Sequence, residues 1–247
     1  MPSIPDINTP LVIAAEKDFL VVYKPPLMHS APQKNSTGKN ILEWCVQEYP
    51  EIMDLPGRRA GEGGLIHRLD YETQGLLLLA RSRSGMETLF SQQVEGKFQK
   101  EYNALAAESK LLLPGFPDVK PGNSTVNEIK SAFRPYGPGR KTVRPVCVET
   151  SSTERQKEQY ITEIPESYPV SDSGVFSFRL RIVRGFRHQI RSHLAWLGMP
   201  ILNDRLYGGC AHGKGLLALR AFLIAFNDPS SGKKLRYEIP CLDLEEI

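Results

Sequence analysis

The stretch Gly64-Leu65-Ile66-His67-Arg68-Leu69-Asp70-Tyr71-Glu72-Thr73-Gln74-Gly75-Leu76-Leu77-Leu78-Leu79-Ala80 decides how this chain is read. Leu76 to Ala80 is a short continuous apolar run, the pattern of a strand covered on both faces or of a buried helix turn. Gly63-Gly64 and Gly75 read as turns on its two sides. The polar residues His67, Arg68, Asp70, Glu72 and Thr73 therefore lie on a loop anchored by core structure, which is where rigid scaffolds present chemistry. A carboxylate beside a guanidinium stays ionised and can act as nucleophile or base. The same residues taken alone also fit an Arg–Asp ion pair on a surface loop. Asp70 and Glu72 do not read as a glycosidase pair, because two residues on one loop cannot easily flank opposite faces of a sugar. A protein-kinase reading of His67-Arg68 fails as well: the aspartate is displaced by one position, and no glycine-rich loop or Asp-Phe-Gly accompanies it.

Outward from this stretch, Leu11 to Tyr23 reads as strand, polar turn at Glu16-Lys17-Asp18, then strand, stopped by Pro25-Pro26. Asn40 to Tyr49 fits a helix with Ile41, Trp44 and Cys45 at helical spacing, and Trp44 is expected in the core. Ser84 is the expected N-cap of a helix running to about Glu95. Glu87 takes its capping-box position, and Met86, Leu89, Phe90 and Val94 form its inward face. Tyr102 to Ala106 returns as a strand. Leu113 to Val146 is rich in proline and glycine and reads as an exposed insertion. Glu163 to Pro169 is expected to break the strand pattern before Val175 to Val183, where Phe176, Phe178, Leu180 and Ile182 alternate with Arg179 and Arg181. Arg187 to Leu197 reads as a helix closed by Gly198 and Pro200, with Arg187 and Arg191 on its surface.

The 247 residues carry a net charge of +3, short of a strongly basic nucleic-acid binder. The distribution is more telling: Arg179, Arg181, Arg184, Arg187 and Arg191 follow one another with no acidic residue between them. That stripe suits a phosphate backbone, or is a solvated face. Cysteines at 45, 147, 210 and 241 form no C-x-x-C pair, and His188 and His193 are wrongly spaced for two ligands on one helix face, so no metal and no disulfide framework is expected. A basic start with an apolar core segment is missing, as is any run long enough to cross a bilayer, so a soluble, cytoplasmic protein is expected. Strands interleaved irregularly with a few helices predict a single mixed α/β (α+β) domain over residues 1–247.

His67-Arg68-Leu69-Asp70, with Thr73 and Gly75 at fixed distance and a leucine-rich strand behind, resembles the catalytic motif of the RluA family of pseudouridine synthases. Three further blocks resemble the same family in order. They are Asp18-Phe19-Leu20-Val21-Val22-Tyr23-Lys24-Pro25, Lys100-Glu101-Tyr102-Asn103-Ala104-Leu105, and the run from Arg187-His188-Gln189-Ile190-Arg191 to Met199-Pro200-Ile201. The resemblance covers roughly Leu11 to Pro240 with a divergent middle at about 109–175. It departs at Gly185-Phe186-Arg187-His188-Gln189, where the arginine is moved by one position. It departs again at Asn203-Asp204, where the family has Gly-Asp and asparagine is the next-best residue for a left-handed turn. Gln74 replaces a usual serine.

The resemblance implies a mostly antiparallel curved sheet with flanking helices and a central catalytic cleft, without the small S4-type RNA-binding domain that many relatives carry. It implies an isomerase that converts a specific uridine of tRNA or rRNA to pseudouridine with no cofactor, acting as a monomer, or else a non-catalytic RNA-binding protein on the same scaffold. Asp70 would be the catalytic nucleophile. Arg68 would fill the space left by the flipped base, Tyr102 would pack on the uracil, and Arg191 would keep Asp70 charged. His67, His188 and Arg187 complete the expected RNA contacts. The basic residues Arg134, Arg140, Lys141 and Arg144 around Tyr136 make an RNA-gripping loop the sharper reading of the insertion.

Overall fold

Every residue of β3 (Gln74–Ala80) is buried, as is every residue of β2 (Phe19–Lys24). Apolar runs of this kind need cover on both faces, and a sheet interior supplies it. The computed structural model describes residues 6–33, 38–111, 113–118, 127–147, 158–170 and 174–247. Their contacts group into two units, Met1–Lys100 with Arg220–Cys241, and Glu101–Leu219 with Leu242–Ile247. Among the described residues, no helix is long and apolar enough to cross a membrane.

In the first unit β1 (Leu11–Ala15) pairs antiparallel with β2, and β2 antiparallel with β3 from Phe19↔Ala80 to Lys24↔Gly75. β3 runs parallel to β9 (Leu219–Asn227), and β9 pairs antiparallel with β10 (Lys234–Glu238). Gly75 is not the expected turn. It lies inside β3 at φ +129, and a Cβ there would fall 2.3 Å from Ala221 O, so its bare Cα is what lets β9 approach. Gln74, for which the sequence offered no role, has one. Its buried Oε1 accepts from Tyr23 Oη at 2.7 Å and from Arg220 Nη2 at 2.9 Å, joining β2, β3 and β9. The core beneath packs Phe19, Val21, Leu76, Leu78, Phe98, Phe222 and Phe226, with Phe19 edge-on to Phe226 at 5.0 Å. Each such side chain contributes about 1.5–3 kcal/mol by leaving water.

Helix α1 (Ile41–Val46) is capped by Asn40, whose side chain accepts from Glu43 N. Ile41, Leu42 and Cys45 face inward, whereas Trp44 is only half-buried, contrary to the expected core position. Helix α2 (Arg83–Val94) starts earlier than expected, because Ser82 rather than Ser84 caps it by accepting from Gly85 N at 3.0 Å. With that phase Glu87 pairs with Arg83 on the surface, and Val94 is 83% exposed instead of inward.

In the second unit β4 (Gln99–Ala107), β8 (Val175–Ile182), β7 (Tyr160–Pro169), β5 (Glu128–Tyr136) and β6 (Thr142–Val146) lie side by side in that order. The pairs β7–β8, β5–β7 and β5–β6 are antiparallel. The stretch read as an exposed insertion, Leu113 to Val146, is thus partly sheet, with Ile129, Ala132, Phe133, Val143 and Arg144 buried; residues 119–126 of it, and 112, 148–157 and 171–173 of the wider divergent middle, lie outside the described ones. β7 also runs to Pro169 rather than breaking. Its register shifts between Glu163 and Glu166, and an irregularity there absorbs Pro165, which has no N–H to give the ladder.

Helix α3 (Gln189–Leu197) begins two residues later than expected, because His188 adopts the left-handed conformation (φ 55) as its N-cap; Gly198 closes it as anticipated. Asn203 takes the left-handed turn, φ 65, that its place in the family pattern implied.

Candidate active site

Gly64 starts the central loop because only glycine fits there. A Cβ would lie 2.1 Å from Ala80 O, the carbonyl of β3's last residue. The chain then follows β3 through Ile66 N→Leu78 O at 3.1 Å and leaves it at His67. Three ties hold the loop from there to Tyr71. His67 Nε2 accepts from Leu78 N at 3.2 Å; Ser30 Oγ accepts from Leu69 N at 3.0 Å and donates to Leu69 O at 2.9 Å; Met28 N donates to Tyr71 O at 3.2 Å. Between these ties Thr73 N donates to Asp70 O at 3.2 Å and closes a turn. Asp70 stands on that turn, half-buried, on a backbone fixed from both sides.

Beneath the turn lies Lys24, fully buried at the end of β2. Its Nζ donates to Pro25 O and Met28 O, each at 2.8 Å, and to Tyr71 O at 3.4 Å. Burial drives its pKa down to about 7, against the opposing pull of the Asp70 and Glu72 charges. The amine therefore braces the loop through Tyr71 and places positive charge near Asp70. Lys24 belongs to the Asp18–Pro25 block but has no part in the site expected from sequence. The available signal was a lysine ending an otherwise apolar strand just before Pro25-Pro26.

Arg68 points outward, 41% exposed along its side chain, with Nη1 2.9 Å from Glu62 Oε1. His67 is a correction. Its ring is buried edge-on against Phe98 at 5.2 Å, and burial, with Lys100 and Arg58 nearby, holds its pKa well below the ordinary value. It is a neutral ring that ties the loop to β3 and not an RNA contact.

In the second unit Tyr102 is 6% exposed on β4. Arg191 is also a correction, because it is no surface residue: 2% exposed, it donates from Nε to Asp204 Oδ2 at 2.7 Å and from Nη2 to Asp204 Oδ1 at 2.8 Å. This two-pronged clamp fixes the guanidinium plane. The Arg191 Cζ lies 5.5 Å from the Tyr207 ring centre, and Tyr207 Oη is 3.2 Å from His188 Nδ1 and accepts from Val143 N at 2.9 Å. Sequence reading noticed Asp204 only as part of a turn. Its partner lies 13 positions away on a different element, which no local pattern shows.

The arginine stripe is largely neutralised. Arg179 Nε donates to Glu101 Oε2 at 2.6 Å and Arg181 Nη2 to Glu101 Oε1 at 2.9 Å, with Glu101 itself 3% exposed. Arg181 also reaches Glu163, and Arg184 pairs with Glu158. Arg187 donates to Arg140 O at 2.6 Å and Thr142 O at 3.2 Å, holding the β5–β6 turn. The acids come from β4, β7 and the residue Glu158 just ahead of β7, outside the stripe itself, which is why the stripe looked bare. Arg144, proposed from sequence for RNA, is 4% exposed and sits 4.4 Å from Phe116 and 4.6 Å from Tyr136 ring centres. Among the described residues no cluster of His, Cys, Asp or Glu is arranged to hold a metal ion.

A family model described as RNA pseudouridylate synthase matches residues 18–196, which contain the Asp70 loop, β4 and most of α3. The chain belongs to this family. Among curated relatives, an uncharacterized RNA pseudouridine synthase of Helicobacter pylori is 26% identical over 236 residues, 94% of this chain and 66% of that protein. The ribosomal large subunit pseudouridine synthase D of Vibrio parahaemolyticus is 25% identical over 246 residues, 94% of this chain and 67% of that protein. The chain thus spans about two thirds of the length of these relatives. Of solved structures, human RNA pseudouridylate synthase domain containing 1 superposes with a TM-score of 0.60 at 20% identity, over 97% of this chain and 86% of that one. That likeness supports the α+β synthase fold.

Proposed function

We propose that this pseudouridine synthase isomerises a uridine of a structured RNA, with Asp70 as the nucleophile. The carrying observation is the Asp70 turn, a half-buried carboxylate on a doubly tied backbone above a buried lysine. The reaction breaks the uridine N1–C1′ bond and joins C5 to C1′. C5 gives up its proton to solvent and N1 gains one, so no external acceptor is needed. Asp70 attacks the ribose or the base, or stabilises the positive charge that develops at C1′. The target base has to leave its stack for this chemistry. Arg68, exposed on the same loop, is suited to fill the gap, and Tyr102 to pack on the uracil, where stacking is worth about 1–3 kcal/mol. The family resemblance assigns Arg191 as the cation that partners the catalytic aspartate, and the two-pronged Asp204 clamp holds the Arg191 guanidinium in one plane.

The ribosomal large-subunit activity named for the Vibrio parahaemolyticus relative makes large-subunit RNA the first substrate to try, with tRNA second; the enzyme works in the cytoplasm as a monomer. The test is release of tritium from RNA labelled at uridine C5. Release without free uracil is expected. Free uracil would show hydrolysis instead, and no release from either RNA would refute the reading in favour of a non-catalytic RNA-binding role.

A further inference from the structure

The turn that carries Asp70 also carries an exposed aromatic side chain that the proposed chemistry leaves unused. Thr73 N donates to Asp70 O, so Tyr71 is the first of the two residues at the turn's centre. Its carbonyl accepts from Met28 N at 3.2 Å and from Lys24 Nζ at 3.4 Å, yet the residue is 41% exposed. What it offers to solvent is therefore chiefly its ring. That ring has a neighbour. His29, in the segment between β2 and α1, packs on it with centroids 4.6 Å apart and planes tilted by 40°. His29 is held in turn, because its carbonyl accepts from Ile41 N at 2.9 Å. Leu27, two residues before it, is 55% exposed and left-handed at φ 56, a conformation uncommon for a bulky residue. Backbone strain of that kind gathers at active sites and ligand clamps.

Single exposed aromatics are common and mean little. Here the ring has a fixed backbone, a second ring packed against it, and the proposed nucleophile next to it in sequence. An aromatic face held rigid and accessible to water is the surface on which nucleic-acid bases stack, whatever their hydrogen-bonding edge. Consecutive Cα atoms lie about 3.8 Å apart, so a base one nucleotide away from a uridine at Asp70 comes within a tyrosine side chain's reach. Aromatic side chains read RNA mainly where it is single-stranded and its bases can splay apart. We propose that Tyr71, backed by His29, stacks on a base adjacent to the target uridine and so selects uridines in unpaired segments. Asp70 places the target here only under the synthase reading, whereas the stacking contact itself can be measured without turnover.

Tyr71→Ala removes the ring, and Tyr71→Phe keeps it. Binding of a short single-stranded oligouridylate, and of an abasic ribose-phosphate chain of the same length, is measured across a salt series. Tyr71→Ala should weaken oligouridylate binding about fivefold or more and leave binding of the abasic chain as it was. The salt slope should stay at its wild-type value, because no phosphate contact is lost. Tyr71→Phe should match wild type on both chains, and His29→Ala should show the base-dependent loss in smaller size. With large-subunit RNA labelled at uridine C5, Tyr71→Ala should raise KM by a similar factor and change kcat by less than about twofold. Once the modified position is mapped, removing the base on one side of it should lower the wild-type kcat/KM to that of Tyr71→Ala and cost the variant nothing further. An equal loss on both chains, or none on oligouridylate, overturns the proposal and leaves the Tyr71–His29 pair a structural tie. A fall in kcat at unchanged KM also overturns it, by putting Tyr71 on the target uracil, and so does a lack of coupling to either neighbouring base. A base-dependent loss in a protein that releases no tritium would support the stacking site while removing the synthase reading.

Discussion

The Asp70 loop and the Arg179–Arg191 segment look equally polar as sequence, yet the fold uses them in opposite ways. In the loop the backbone of Leu69 and Tyr71 is engaged by Ser30 and Met28, the His67 ring is tied to Leu78 N, and the Asp70 carboxylate is carried on a turn at the margin of the core. In the arginine segment the side chains themselves are engaged, by Glu101, Glu163, Glu158, Asp204 and the carbonyls of Arg140 and Thr142. A backbone held rigid presents a side chain to a substrate. A side chain held rigid positions the protein. Charge density along a sequence does not separate the two, because the neutralising partners come from distant strands.

The largest expected effect lies at the most deeply buried of these pairs. Asp204→Ala leaves the Arg191 guanidinium, 2% exposed, without its clamp, and should destabilise the protein by about 3–5 kcal/mol. Denaturant unfolding checks this; a loss near zero would mean that Arg191 is satisfied elsewhere. The next effect is a pH dependence on the loop side. Lys24 titrates near 7 in the folded chain, against about 10.4 when unfolded. Between those values the unfolded chain binds more protons, so the unfolding free energy should rise with pH across that window, by up to about 1.4 kcal/mol per pH unit. Lys24→Met should lose that part of the rise, and identical pH slopes for variant and wild type would contradict the burial argument. The smallest effect concerns the stripe. Arg179→Gln should cost about 1–3 kcal/mol by uncovering buried Glu101, yet leave the salt dependence of RNA binding as it was. Salt titrations that flatten by a full phosphate's share would return Arg179 to the RNA.

Legibility in the sequence divides along the same line. β2, β3, the alternation in β8 from Phe178 to Ile182, the Gly198 stop and the left-handed Asn203 are local patterns and appear, whereas Phe176, expected on the same side as Phe178, is exposed. The α2 cap was misplaced because Ser82 and Ser84 offer the same chemistry within one turn, and only Gly85 N decides between them. The β5–β6 hairpin was hidden by its proline and glycine content; its buried face is held by partners such as Tyr207, whose hydroxyl accepts from Val143 N. The anchoring of the loop that carries Asp70, the proposed nucleophile, is legible in the glycines and the apolar run that flank it. Lys24, Asp204 and the roles of Gln74 and Glu101 depend on contacts between segments remote in sequence, which no periodicity records.

The central claim is that Asp70 does the chemistry while the loop around it only holds it in place. Asp70→Asn preserves shape and removes charge, so the most direct measurement is tritium release from C5-labelled RNA by this variant, beside its RNA affinity. The account predicts a loss of turnover of roughly three orders of magnitude or more with affinity and thermal stability nearly unchanged. Turnover within about tenfold of wild type, at unchanged affinity, would contradict it, since losing a nucleophile costs far more than that.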